Sequence, residues 1–361
     1  MPRVTASQRY AGRAAFDLYE QRGYPRVETV AWAQGQANLL SRVSDMIGFF
    51  IRRLSQAIGV IVLVTIGVFL LQHLLPGNEA RAALGGHPTL PEIRAYDLEN
   101  GLNQSLPQQY LTYLNHAIRG NLGYSYQLDE SVGSLLLMDV PNDLIIVGLG
   151  LFIALVVAVP LGLLQALRHN RAFDHVSTTM MFILYSMPSF WLGLLLVVFF
   201  SITLHWLPSE VPGNVTGFQL LTHFGDIVLP VLLITLVSIA LFSRYMRSSG
   251  LDQISQDFVR TARAKGLSTF GIVRLHILRN ASLPLLTLMG LSLPTLFTAG
   301  LVAEQLFNVQ GVGLAFYTAV SQQDYPVELG VTLFVAVATV LGNFAADLGY
   351  AVLDPTVRGG R

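Results

Sequence analysis

The sequence predicts an all-α integral membrane protein, a bundle of six transmembrane helices, on three observations. Charged residues make up 12% of the 361 and hydrophobic ones 52%, whereas about a quarter of a soluble domain is charged. Six windows of about 20 mostly apolar residues are long enough to cross a bilayer as helices. Proline recurs inside them, at Pro160, Pro188, Pro230 and Pro294. A membrane tolerates this only where neighbouring helices re-satisfy the freed backbone carbonyls, so the spans are expected to pack on one another. With no cysteine in the chain, disulfide frameworks and thiolate metal centres are excluded.

Residues 1–49 are polar, carry Arg3, Arg9, Arg13, Arg22 and Arg26, and lack an apolar core of signal-peptide length. They are expected to stay attached as a cytoplasmic extension ahead of a transmembrane domain at 50–361. The spans are expected at 54–75, 144–167, 176–204, 227–246, 283–303 and 327–352. Of the 22 cations, all but Arg81, Arg94 and Arg119 then fall on one side, which by the positive-inside rule puts both termini in the cytoplasm. The outer segment 76–143 is too long for a turn. Within it Leu106, Tyr110, Tyr113, Leu114, Ala117 and Ile118 keep helical spacing, predicting a helix on the membrane surface or on the bundle.

Segment 247–282 is polar and basic between two apolar runs. Leu251, Ile254, Phe258 and Ala262 recur on one helical face while Arg260, Arg263 and Lys265 project elsewhere. Asp252 and Asp257 lie early and the cations late, which suits the helix dipole, and Gly266 is placed to end the helix in a left-handed conformation. Ser268 is placed to cap a second helix carrying Arg274 and Arg279, with Pro284 in the first turn of the next apolar run. The charges alone read as a solvated loop. The apolar stripe requires burial, against the chain's own membrane domain or a partner.

Lys265 is the only lysine, and it precedes Gly266 instead of following a glycine-rich loop, so the chain holds no Walker A motif. Neither His-Glu-x-x-His nor Gly-x-Ser-x-Gly occurs, and no catalytic, cofactor-binding or metal-ligating residue is assigned. His169 and His175, with Asp174 between them, read as a solvated turn. Polar groups inside a span cost free energy and usually face a cavity or a partner. Asn343 and Asp347 lie four apart on the sixth span, Gln72 and His73 near the outer end of the first, and His205 near that of the third. A translocation path and plain interhelical hydrogen bonding compete as the reason for them.

TARAKGL at 261–267 and RLHILRNASLP at 274–284 resemble the coupling segment of importer permeases of the ATP-binding-cassette (ABC) class, in the version found in oligopeptide and dipeptide permeases. HLLPG at 73–77, RGNLGYSY at 119–126, SMPSFWLGLLL at 186–196, EQLFNVQGVG at 304–313, DYPVELGV at 324–331 and YAVLDPTVR at 350–358 are similar to the same family's landmarks, in the same order. The sequence departs from the pattern at Arg260, where the general importer signature has an acid, at Gln310, where proline is usual before Gly311, and at Thr356, where arginine is frequent.

The resemblance implies a type I importer-like permease bundle with a cytoplasmic coupling helix, in a bacterial or archaeal cytoplasmic membrane. It implies as partners a second homologous permease, two ATP-binding-cassette ATPases, an extracytoplasmic substrate-binding protein and the lipid bilayer, and no nucleic acid. ATP and magnesium would be bound by the ATPases and no cofactor by this chain. The coupling residues carried over are Asp257, Phe258, Arg260, Thr261, Ala262, Arg263, Ala264, Lys265 and Gly266. Pro188 and Pro294 would let helices bend around a path to which Asn343 and Asp347 contribute. The expected cargo is a di- or oligopeptide. Nickel, glutathione or a sugar oligomer on the same scaffold is the alternative; a stand-alone secondary transporter is disfavoured because no inverted repeat is visible.

Overall fold

A computed structural model describes residues 52–53, 55–74, 79–292 and 300–353. The chain divides into two compact units, Met1–Leu63 and Val64–Arg361. The extension expected at 1–49 lies outside the described residues. In the first unit the described residues are helical and begin α1 (Ser55–Leu74).

The second unit continues with α2 (Glu79–Leu84), α3 (Leu90–Glu99), α4 (Leu106–Ile118) and a short antiparallel hairpin of β1 (Tyr124–Ser125) and β2 (Glu130–Ser131). Then come α5 (Val132–Leu167), α6 (Ala172–Ser186), α7 (Ser189–Leu196) running into a π-helical turn (Val197–Thr203), α8 (Gln219–Thr222), α9 (Phe224–Ile254) and α10 (Asp257–Ala264). After α11 (Thr269–Ile272) and a second π-helical turn (Val273–Ile277) follow α12 (Leu278–Ser292), α13 (Leu301–Phe307), α14 (Val312–Gln322) and α15 (Tyr325–Leu353).

Helices α3 and α4 begin alike. Thr89 and Ser105 take the N-cap positions, Glu92 and Gln108 accept from the cap backbone N–H groups at 2.7 and 3.3 Å, and a proline sits in each first turn, where its missing N–H has no helical partner to lose. The spacing-predicted outer helix is α4. Its Tyr110 hydroxyl lies 2.8 Å from that of Thr65 on α1, and Tyr113 donates to the Leu329 carbonyl of α15 at 3.0 Å.

Among the described residues four helices are long and apolar enough to cross a bilayer: α1, α5, α9 and the Tyr325–Phe344 part of α15. Helix α6 and the α7 segment, which cover the span expected at 176–204, meet at 104° beside Pro188. Met187 and Pro188 are both extended there, because a proline ring drives the preceding residue out of the helical region. Pro141, Pro160, Pro230 and Pro284 instead sit inside continuous helices. Pro284 is thus in the body of α12, which begins at Leu278, and not in the first turn of a new run. The rest of the expected fifth span, 293–299 with Pro294, lies outside the described residues. Helix α5 starts at Val132, well before the expected 144, so its first turns belong to the segment read as outer loop.

Gly150, Ala154, Ala158, Gly162 and Ala166 recur at four-residue intervals on the buried face of α5, and α9 packs along them. A methyl group on Gly162 would lie 2.6 Å from the Ser243 carbonyl oxygen and 2.9 Å from the Arg247 nitrogen, so the two backbones are nearly in contact. The Thr235 hydroxyl of α9 donates to the Gly150 carbonyl at 3.2 Å. Two apolar clusters flank this pair. One, around Ile227, Leu229, Phe307 and Val312, joins α5 and α9 to α7, α13, α14 and α15. The other, around Ala158, Phe242, Met246, Val259 and Ile277, joins them to α10, α11 and α12.

Candidate functional site

Helix α10 is seated in the second cluster. Asp257 occupies its first turn and Arg263 its last, as the helix dipole favours. Gly266 has φ +82°, and beside it the Leu267 N–H returns to the Ala262 carbonyl at 3.2 Å, so a glycine ends the helix in the left-handed region, as predicted. Ser268 caps α11 by accepting from the Gly271 N–H at 3.2 Å, also as predicted.

Val259 and Ala262 are buried against the bundle, and Phe258 is half-buried with its ring 6.1 Å from that of His276. The apolar stripe expected along one helix is divided: Leu251 and Ile254 belong to α9, which ends before Ser255, and α10 buries Val259 with Ala262. Asp257, Arg260, Thr261, Arg263, Ala264, Lys265 and Gly266 are exposed. Arg260 and Asp257 lie 3.4 Å apart on that open face, a solvated pair that contributes little. The product is a short helix with one side fixed to its own chain and a free side dominated by cations.

Next to it, Arg247 of α9 grips Asp174 of α6 through a fork, Nε to Oδ1 at 2.6 Å and Nη2 to Oδ2 at 2.8 Å. Asp174 also accepts from the Asn170 N–H at 3.0 Å and the Thr178 hydroxyl at 3.3 Å. The turn expected to be solvated is therefore a buried anchor at Asp174, with His169 half-exposed 3.4 Å away.

Toward the start of α5, Asn142 and Asp143 hold the 304–313 stretch. Asn142 donates to the Gln310 carbonyl at 2.7 Å and accepts from the Gly217 N–H at 2.5 Å. Asp143 accepts from the Val312 N–H at 3.2 Å, and Glu304 from the Leu314 N–H at 2.6 Å. These carboxylates are 1% and 3% exposed, and Asp143 Oδ1 and Glu304 Oε1 have no hydrogen-bond partner among the described residues. Both crowd Gly311, where a methyl group would stand 2.5 Å from Asp143 Oδ1 and from Glu304 Oε2.

Of the four residues expected along a path, two have described side chains. Pro188 is exposed at the α6–α7 bend and Asn343 is half-buried on α15, while Pro294 and the Asp347 side chain lie outside the described residues. Gln72 is explained by interhelical bonding, since its amide donates to Glu328 Oε2 at 2.8 Å. His73 lies 2.8 Å from the Phe69 carbonyl within α1 and 3.3 Å from the Gln109 amide oxygen of α4, and His205 stands in a left-handed loop position. Among the described residues no group of three histidines or acids is placed to hold a metal.

Glu79 on α2 is pushed up to about 7 by burial and then by the nearby charges of Asp324 and Asp97. Because the unfolded carboxyl titrates near 4.5, folding takes up a proton between pH 4.5 and about 7, and stability falls as pH rises through that window. Glu79→Gln is expected to stabilise the protein above pH 7 by on the order of 2 kcal/mol and to do little near pH 4. Thermal midpoints in detergent at the two pH values check this; equal midpoints for the variant and the parent above pH 7 would refute it.

Residues 158–359 match the family described as binding-protein-dependent transport system inner membrane component, and 46–146 match the N-terminal region described for such membrane components. The chain belongs to that family: it is a membrane permease of an ABC importer, a multi-pass inner-membrane protein that works in an assembly with other subunits, and a transport component instead of a catalytic one.

A Brucella suis biovar 1 protein named as a peptide permease is 36% identical over 317 residues, 87% of this chain and 99% of that one. The oligopeptide transport system permease protein AppB of Bacillus subtilis is 32% identical over 86% of this chain and 99% of its own length. The dipeptide transport system permease protein DppB of Escherichia coli K12 is 32% identical over 87% and 99%. Among solved structures, a chain of the MetNI methionine ABC transporter in an inward-facing conformation aligns with TM-score 0.48 and 19% identity over 59% of this chain and 93% of that one.

Proposed function

We propose that this chain carries di- or oligopeptides inward as one of two homologous permeases, and that α10 is the lever by which an ATPase subunit moves it. Both termini and α10 lie in the cytoplasm on this reading. Two ATPase subunits bind ATP and magnesium, and an extracytoplasmic binding protein delivers cargo at the other face. The observation that carries the reading is the seating of α10: Val259 and Ala262 are fixed in the cluster that also holds α5 and α9, while Arg260, Arg263 and Lys265 are exposed. A helix so seated passes a push into the bundle, whereas a solvated loop absorbs it. Peptide cargo is supported by what the relatives named above carry.

Arg260→Glu combined with Arg263→Glu reverses the free face of α10 without touching a buried side chain. The variant complex is expected to keep its second permease and to lose ATPase subunits and dipeptide uptake by about tenfold. Affinity co-purification in mild detergent and uptake into proteoliposomes check it. ATPase retention with unchanged uptake would sink the α10 assignment. A complex that moves glutathione or nickel but no peptide would instead reassign the cargo and leave α10 standing.

A further inference from the structure

At the end of the chain's second unit remote from α10, helices α1, α3, α4 and α15 line a half-open cavity of about 800 Å³. That is within the range of about 300–1,000 Å³ that small-molecule sites occupy. Its charge is one-sided. Glu79, Asp97 and Glu99 line it, and no lysine or arginine does among the described residues. Asp324, 1% exposed and with its Oδ1 unpartnered among the described residues, stands behind Glu79 and adds to the negative field. Glu79 itself has no hydrogen-bond partner among them, and burial first, then the charges of Asp324 and Asp97, lift its titration to about 7. The remaining wall is mixed, with amides such as Gln72 and Gln104 and, among its apolar parts, the rings of Phe69, Tyr113 and Tyr325.

The walls are built and held. Tyr113 is fixed by its bond to the Leu329 carbonyl, and Gln109 donates to the carbonyls of Leu102 and Gln104, both at 2.9 Å. A bare metal ion does not fit this arrangement, because no three acids converge and the volume far exceeds one ion. A cation with an apolar body does: its ammonium replaces the missing partner of Glu79 while its carbon frame covers the rings.

We propose that this cavity binds an organic primary ammonium, with Glu79 as the principal counter-charge and Asp97 as the second. The ammonium belongs either to a free amine or to the amino end of a peptide. The site requires neither peptide cargo nor the assignment of α10.

The test uses the full chain in its assembled complex, placed in lipid nanodiscs near neutral pH, with phenethylamine as probe and the isosteric neutral 2-phenylethanol as its control. Saturable phenethylamine binding is expected, with the alcohol weaker by about tenfold or more. Glu79→Gln and Glu79→Gln with Asp97→Asn are expected to weaken the amine progressively, while Glu210→Gln, which removes a carboxylate outside the cavity, leaves it unchanged. Thermal midpoints of the same samples confirm that the variants are folded. Competition by Phe-Ala but not by N-acetyl-Phe-Ala supports the site and assigns it to peptide amino ends. Failure of both peptides to displace bound phenethylamine supports it and assigns it to free amines. No saturable binding, equal binding of amine and alcohol, or unchanged binding by folded Glu79→Gln overturns the proposal. Dipeptide uptake by the same complex is a separate readout, so failure here and failure of the cargo reading are told apart.

Discussion

Gly162→Leu is expected to abolish recovery of folded, monodisperse protein from the membrane. At Gly162 the obstacle to a side chain is the Ser243 carbonyl oxygen and the Arg247 nitrogen, both backbone, as well as Met246 Cβ at 2.7 Å. Backbone cannot swing aside as a rotamer does, so α9 must back away from α5 over several turns. That movement opens the cluster around Phe242 and Met246 and pulls Arg247 off Asp174. Overpacking a core usually costs about 1–3 kcal/mol, and the added loss of a buried ion pair takes the total to about 4 kcal/mol or more. Two comparisons make the prediction specific. Gly250→Ala meets only the Ala166 and Leu163 side chains, at 3.0 and 3.5 Å, and is expected to be milder. Gly148→Ala on the same helix has nothing within 4 Å and is expected to behave as the parent. Size-exclusion profiles and thermal midpoints in detergent rank the three; a Gly162→Leu chain as stable as Gly148→Ala would show that α5 and α9 do not pack this closely.

Gly311→Ala is expected to have the next largest effect, for a different reason. The backbone there is extended, with φ −154°, and any residue adopts it, so no conformational penalty applies. The obstruction is two buried carboxylates, each holding a backbone N–H of 312–314, so neither turns away without leaving a donor unpaired. A cost of about 2–4 kcal/mol is expected. Gly313→Ala, whose nearest contacts are 3.1 and 3.2 Å, is expected to cost much less. Thermal midpoints order the pair, and an equal loss for both would remove the carboxylates from the explanation.

The spans were legible in the sequence because bilayer thickness sets a length and hydropathy reveals it: α1, α9 and α15 stand close to where the apolar windows put them. Which proline bends a helix was not legible. Pro160 and Pro230 lie within unbroken helices while Pro188 stands between two, and the residues flanking each proline do not separate the cases. The small-residue ladder on α5 was in plain view, yet a hydropathy window averages over spacing and hides a four-residue period. The Arg247–Asp174 fork and the Asp143–Glu304 pair join partners far apart in sequence, and no local pattern announces them. For α10, the sequence already marked the start near Asp257 and the stop at Gly266. The break after Ile254 was missed because Leu251, Ile254, Phe258 and Ala262 keep one period straight across it.

The glycine-clasped α5–α9 pair has a mechanical consequence. Two long helices whose backbones touch bend together or not at all, so the pair behaves as a strut and its compliance is displaced to the joints: the Met187–Pro188 corner and the π-helical turns at Val197–Thr203 and Val273–Ile277. Helix α9, 31 residues long, spans about 46 Å, so a tilt of about 5° at the α10 end swings its other end by about 4 Å. A rigid tilt of the pair therefore carries its far end by more than the width of a water molecule.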